Sequence, residues 1–336
     1  MIDWMTLHID TEHLSKLVVE QLSGISDKIM RIKPDGEISW CTATFQSLRS
    51  DTNGLSYSFT GLKLTIAGSP ASVRNPNNVF GSDDLQTCFS HMISFFSQHT
   101  GIFIPFTANL YRCTRIDYTR NLFVGSQANV NICLDTLKNT STRGDNVEKK
   151  HSTIYWNKSS KLRCGKLYNK YLHAKKCNKD NTHFYSEDEL KMTESIVRSE
   201  LKLGRIWFNR LEKPWFMLTT QDLQKEHDSF FSNIIGSVEV TNMHDLLNRL
   251  NKISPSENQA LAAFRTYQLI QSIGYKQTVQ GMPKTTWYRH RKQLLDAGLC
   301  KTDLQVGQIV PFRRTEVIEM VPVNSWAELK LLQQAG

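Results

Sequence analysis

Apolar positions along this chain recur at two periods, and each switch between them marks a change of element. LKLTIAG (62–68) alternates as a strand does. After a loop rich in Gly, Pro and Asn, SDDLQTCFSHMISFF brings Leu85, Phe89, Met92 and Phe96 to helical spacing, with Ser82 as the expected cap. TRIDYTRNLFV (114–124) alternates again, and Ser126 then opens a helix with Val130, Cys133, Leu134 and Leu137 on one face. Residues 152–156, a turn over 157–160 and residues 162–172 read as a hairpin. Ser186 and Glu189 have capping-box spacing ahead of SIVRSELKLGRIWF, a further alternating strand. Past Lys225 the pattern softens, and 232–240 with the helix MHDLLNRLNK reads as a connection. Ser254, Pro255 and Glu257 announce a helix over 256–273, and a second over 285–297 is stopped by Gly298. Strand followed by helix indicates an α/β or α+β domain, with a helical unit behind it.

Side chains two apart on a strand share a face, so each strand presents a definite set. TRIDYT presents Arg115, Asp117 and Thr119; KLYNKY presents Lys166, Tyr168 and Lys170; VRSELKL presents Arg198, Glu200 and Lys202. If the strands are neighbours, two carboxylates, a phenol and several cations form one patch. Asp117 and Glu200 are hard oxygen donors suited to Mg²⁺ or Mn²⁺, and lysine and arginine stabilise charge developing on a phosphoryl group. Tyr168 is then a candidate nucleophile, with the cations expected to favour its phenolate. Taken singly, each residue has a plainer use: a strand tyrosine packs, and a carboxylate beside an arginine forms an ion pair.

Charge points to the kind of partner. The 336 residues carry a formal net charge of +9, which favours an anionic ligand, nucleic acid first. Residues 141–180 hold eleven Lys or Arg against three Asp or Glu, so the surplus gathers around Tyr168. Seven cysteines without a CxxC pair argue against a zinc knuckle or a disulfide framework. With no apolar run of membrane length, and acidic residues in MIDWMTLHID, a cytoplasmic protein that avoids the membrane is expected.

Several segments together resemble the gene-two replication endonucleases of filamentous phages and their plasmid relatives. They are MIDW, GSPASVRNPNNVFGSDDLQTC (68–88), TRID, STIYWN with Tyr168 eleven residues after Asn157, VRSEL, and TTWYRHRKQLLDAGLCKTDLQ (285–305). The resemblance implies an α+β fold with an antiparallel-sheet catalytic domain of rolling-circle initiator type over 1–225. A connection over 226–254 and a helical, helix-turn-helix-like DNA-binding domain over 255–336 would follow. It implies nicking of one strand of supercoiled origin DNA through a 5′-phosphotyrosine on Tyr168, with later rejoining of the displaced single strand. A host helicase and polymerase are the implied partners. The chain is also similar to plasmid trans-acting initiators, whose Arg-x-Asp, Arg-x-Tyr-x-Lys and Arg-x-Glu are met by Arg115/Asp117, Lys166/Tyr168/Lys170 and Arg198/Glu200; here Lys166 replaces an arginine. Catalytic roles thereby fall to Tyr168, Lys170, Arg115 and Arg198, and divalent metal binding to Asp117 and Glu200. No His-x-His pair supplies the two-histidine metal site of the wider class, though His151 and His173 flank the hairpin. Lys166, Arg74, Asn77 and Asn78 are expected to contact DNA or shape the site, and Arg289, Arg291 and Lys292 to track phosphates from the C-terminal helix. The rivals are a non-catalytic DNA-binding replication regulator and a tyrosine recombinase.

Overall fold

The structure is a computed structural model and describes residues 1–49, 54–138, 147–150, 152–235, 243–299, 303–304 and 318–335. His151 lies outside them, as does much of 232–240. The strands among the described residues are β1 (Ile2–Asp10), β2 (Lys28–Ile32), β3 (Ile38–Ala43), β4 (Gln46–Arg49), β5 (Gly54–Phe59), β6 (Lys63–Gly68), β7 (Tyr111–Phe123), β8 (Val147–Lys150), β9 (Thr153–Trp156), β10 (Arg163–Asn169), β11 (Ile196–Leu203) and β12 (Val321–Val323). The helices up to Lys179 are α1 (Lys16–Ile25), α2 (Pro70–Arg74), α3 (Leu85–Thr100), α4 (Gln127–Lys138) and α5 (Lys170–Lys179). Then come α6 (Glu187–Met192), α7 (Arg205–Phe208), α8 (Thr220–Ile235), α9 (Met243–Ile253), α10 (Glu257–Ile273), α11 (Tyr275–Gln280), α12 (Lys284–Asp296) and α13 (Trp326–Ala335).

Ten strands form one antiparallel sheet in the order β4-β5-β6-β1-β7-β11-β10-β9-β8, with β12 on the end of β7, while β2 and β3 make a separate ribbon. The fold is therefore mixed α+β with a helical C-terminal region. Alternation divides the sheet's two faces. Met5, Leu7 and Ile9 of β1, Ile116 and Tyr118 of β7, Leu167 of β10 and Val197 and Leu201 of β11 join Phe89, Met92 and Phe96 of α3, Leu134 of α4 and Phe231 of α8 in the main core. The opposite face carries Arg115, Asp117, Lys166, Arg198 and Glu200, while Arg120 and Arg163 lie on the core side and pair with Asp228 and Glu226 of α8.

Two features of the C-terminal half differ from the sequence reading. Leu246 and Leu250 of α9 share a core with Ala263, Phe264, Trp287 and Leu294 of α10 and α12, so α9 belongs to the helical unit rather than to a connection. After that unit the chain returns to the sheet. Val323 and Leu329 pack with Val79, Ala174, Tyr185 and Ile196, and Trp326 meets Phe80 edge-on at 5.0 Å. Two caps also move: Asp84 accepts from Thr87 N ahead of α3, and Ser256 from Gln259 N ahead of α10. The capping box of Ser186 and Glu189 is present.

Candidate active site

Register sets the charged face row by row. β10 and β11 pair Tyr168 with Arg198 and Lys166 with Glu200; β11 and β7 pair Arg198 with Asn121, Glu200 with Thr119 and Lys202 with Asp117. The polar face read from alternation is thus assembled from adjacent strands. Asp117 and Glu200 sit diagonally, one pair apart, with Thr119 directly opposite Glu200 on β7.

Lys170 departs from its expected place. Strand β10 stops at Asn169, whose side chain accepts a hydrogen bond from Leu172 N at 3.0 Å and caps α5. A residue that can satisfy a free helical N–H ends the strand earlier than alternation alone indicates. Lys170 is therefore the first residue of α5, and Tyr171 is helical rather than on the opposite face of a strand. Lys170 is nonetheless buried beside the site, where its Nζ donates to Asn78 Oδ1 at 2.9 Å and to Tyr185 Oη at 3.3 Å.

Tyr168 is 2% exposed, and its Oη donates to Glu200 Oε1 at 2.6 Å. Lys166 Nζ donates to Glu200 Oε2 at 3.0 Å and lies 4.0 Å from the Tyr168 ring centroid. His173 stands against the same ring at 5.1 Å. The expectation that the cations favour a phenolate is corrected here. Burial first, and the Glu200 carboxylate second, push the phenol well above its ordinary pKa, so at rest it is a protonated donor. For Glu200, burial works upward, but Lys166 and Arg198 outweigh it and hold the carboxyl at about 2.

Asp117 has a different balance. Burial raises its pKa to about 6; Arg115, which donates from Nε and Nη2 to the two carboxylate oxygens, opposes that, while Glu200 and Asp3 add to it. The Thr119 hydroxyl, buried on β7 beside the two carboxylate rows, has no hydrogen-bond partner. Three oxygen-bearing side chains with an unfilled hydroxyl match the donor chemistry of a hard divalent cation, which commonly takes one or two carboxylates and completes its shell with water and phosphate. Among the described residues, no group of three or more His, Cys, Asp or Glu is placed to hold a metal by itself.

Arg198, fully buried, links this cluster to the loop after α2. Its Nη1 donates to the Asn78 carbonyl at 2.6 Å, its Nη2 lies 3.5 Å from Asp3 Oδ1, and its Nε lies 3.8 Å from Glu200 Oε1. Asn78 Nδ2 donates to Asp3 Oδ1 at 2.9 Å. Asn77 Nδ2 donates to the Phe184 carbonyl. Both asparagines are buried, so they shape the site from within and do not present side chains to a ligand. Arg74 is exposed at the end of α2. On α12, Arg289 and Lys292 are exposed and Arg291 partly so, far along the chain from the sheet cluster.

Asp3, Thr119 as an orphan hydroxyl, and Tyr185 were not singled out for the site by sequence. Asp3 is the extra residue of a bulge between the pairs Ile2/Tyr118 and Trp4/Asp117, so simple alternation assigns it to the wrong face. Its one signal was a carboxylate within MIDW.

The family model for the N-terminal region of the gene-two replication-associated protein of phages matches residues 1–251. Curated relatives include the gene-two replication-associated protein of Enterobacteria phage f1, 23% identical over 90% of this chain and 87% of that one. Those of Enterobacteria phage fd (24% identical, 90% and 87%) and Salmonella phage IKe (23%, 87% and 82%) are similar too. A solved structure of a rolling circle replication initiator protein from Geobacillus stearothermophilus aligns with a TM-score of 0.33 at 11% identity, over 72% of this chain and 88% of that one.

Proposed function

Because the chain belongs to the family of phage gene-two replication-associated proteins, we propose that it starts rolling-circle replication by nicking one strand of supercoiled origin DNA with Tyr168. The observation that carries this reading is the 2.6 Å hydrogen bond from the Tyr168 phenol to Glu200, inside a cluster of carboxylates and cations. A tyrosine attacks a phosphodiester only as its proton departs, and an adjacent carboxylate supplies the acceptor. Tyr168 Oη bonds to phosphorus, its proton passes to Glu200 Oε1, and the bond from phosphorus to the 3′ oxygen breaks. A 5′-phosphotyrosine and, after protonation, a free 3′-OH result. The 3′-OH is then available to a polymerase, and attack by a 3′-OH on the adduct reverses the step and joins the strand.

Lys166 would meet the negative charge that grows on the phosphoryl oxygens, Arg198 holds Glu200 and Asp3 in place, and Arg115 orients Asp117. Asp117, Glu200 and the Thr119 hydroxyl are the groups that would hold Mg²⁺ or Mn²⁺, which when bound polarises the phosphodiester. Lys170 acts one layer back by fixing Asn78. Since Tyr168 is nearly enclosed, Lys166 and His173 must give way before a phosphate reaches it. Duplex contact by Arg289, Arg291 and Lys292 on α12 and by Arg74 would position the origin, and a host helicase would unwind the duplex from the nick.

The test is nicking of the replicon's own supercoiled DNA with Mg²⁺, by the wild type and by Tyr168→Phe. A nick that needs the metal and is lost in the variant is the expected result. DNA binding by the wild type without any nick favours the non-catalytic regulator, and a metal-independent adduct at a 3′ end favours a recombinase.

A further inference from the structure

The strand that carries Tyr168 runs directly into a helix whose outer face bears one sign of charge. From Lys166 to Lys179 there are five lysines and no acidic residue. Helix α5 turns Lys170, Ala174 and Cys177 inward, where all three are buried. At 3.6 residues per turn, Leu172, Lys175, Lys176 and Lys179 then fall on the opposite side, with Tyr171 at its edge next to Lys175. The burial pattern agrees: the three lysines are exposed, Leu172 is 43% exposed, and Tyr171 is partly exposed with Lys175 Nζ 5.9 Å from its ring centroid. Negative charge begins only past this face, at Asp180 and at Glu187 and Asp188 in the first turn of α6.

We propose that this face of α5 is the track for single-stranded DNA beside the bond that is cut. The argument rests on the reading of Tyr168 as nucleophile, because α5 begins two residues after it. Its ten residues extend about 15 Å from the site. Lysines a turn apart suit successive phosphates, and an aromatic ring among them suits an unpaired base, whose face a duplex keeps stacked. Charge alone would serve either form of DNA; Tyr171 at the edge beside Lys175, with Leu172 among the lysines, selects the single strand.

The experiment compares binding of a fluorescent dT20 oligonucleotide and of a blunt 20-base-pair duplex across a salt series. The proteins are the wild type, the variant Lys175→Gln/Lys176→Gln/Lys179→Gln, Tyr171→Ala and Tyr171→Phe. Loss of three phosphate contacts is expected to lower the logarithmic salt slope for dT20 by about 2. Tyr171→Ala is expected to weaken dT20 about tenfold while Tyr171→Phe binds as the wild type does, since stacking needs the ring and not the hydroxyl. An unchanged dT20 slope, or an equal loss on the duplex, overturns the proposal. Tyr168 chemistry is scored separately, by protein-linked 5′ ends. Such ends together with an α5-independent slope refute the track alone; an α5-dependent slope with no such ends refutes the nucleophile and leaves α5 as a single-strand surface.

Discussion

In the proposed reaction Glu200 is the pivotal residue, because one carboxylate accepts from both Tyr168 and Lys166. Glu200→Gln keeps the shape but can neither take the proton nor offer a charged oxygen to the metal, so single-turnover nicking is expected to fall by about 10²- to 10⁴-fold. A nick rate equal to that of the wild type would remove Glu200 from the proton path. His8 is a second residue with a measurable consequence. Its Nδ1 and Nε2 lie 2.9 and 2.8 Å from the hydroxyls of Thr65 and Thr114, bridging β6 and β7 across β1. Burial, aided by Lys63 and Arg112, lowers its pKa from 6.5 to about 4. Between those values the unfolded chain binds more protons than the folded one, so His8 costs stability as pH falls through that window and nothing above it. NMR titration should find the His8 ring titrating near pH 4; titration near 6.5 would contradict the packing described for β1.

At the scale of elements, β10 is held from both sides. Tyr168 and Lys166 face the site, while Gly165 faces α8 so closely that an added Cβ would lie 2.2 Å from Phe230 Cε1. Gly165→Ala must displace that ring or the strand, and is expected to cost about 1–3 kcal/mol in chemical denaturation while slowing nicking. Neutral behaviour in both assays would mean that α8 is not seated on β10. The alternation of β7, β10 and β11 was legible in the sequence, because each alternates apolar with polar positions over most of its length, with Arg120 and Arg163 the charged exceptions on the core side. The end of β10 was not, since Asn169 decides it by capping α5, a competition between strand and helix that period-two counting does not weigh. The bulge at Asp3 escaped for a similar reason: one inserted residue reverses the faces and leaves no mark in composition.

Across the whole molecule, the site is built from segments far apart in sequence. Asp3 comes from the first strand, Asn78 from the loop after α2, and Arg198 and Glu200 from β11, with Arg198 joining them. Sequence showed the charged face but not the environment of the phenol, because burial depends on what the fold stacks above the sheet. That covering includes α5 and, beyond it, the returning C-terminal segment, whose Val323 and Leu329 sit in one apolar cluster with Ala174 and Tyr185. The helical unit also proved larger than its sequence signal, since α9 could be assigned to it only by packing. In the proposed reaction all of these parts serve one covalent bond, between Tyr168 and DNA. It is tested most directly by incubating the protein with its own supercoiled replicon DNA and Mg²⁺, trimming the DNA with nuclease, and sequencing the linked peptide by mass spectrometry. The expected product is a nucleotide attached through its 5′ phosphate to Tyr168, with no adduct in Tyr168→Phe. Attachment at another residue, or an undiminished adduct in the variant, would contradict it.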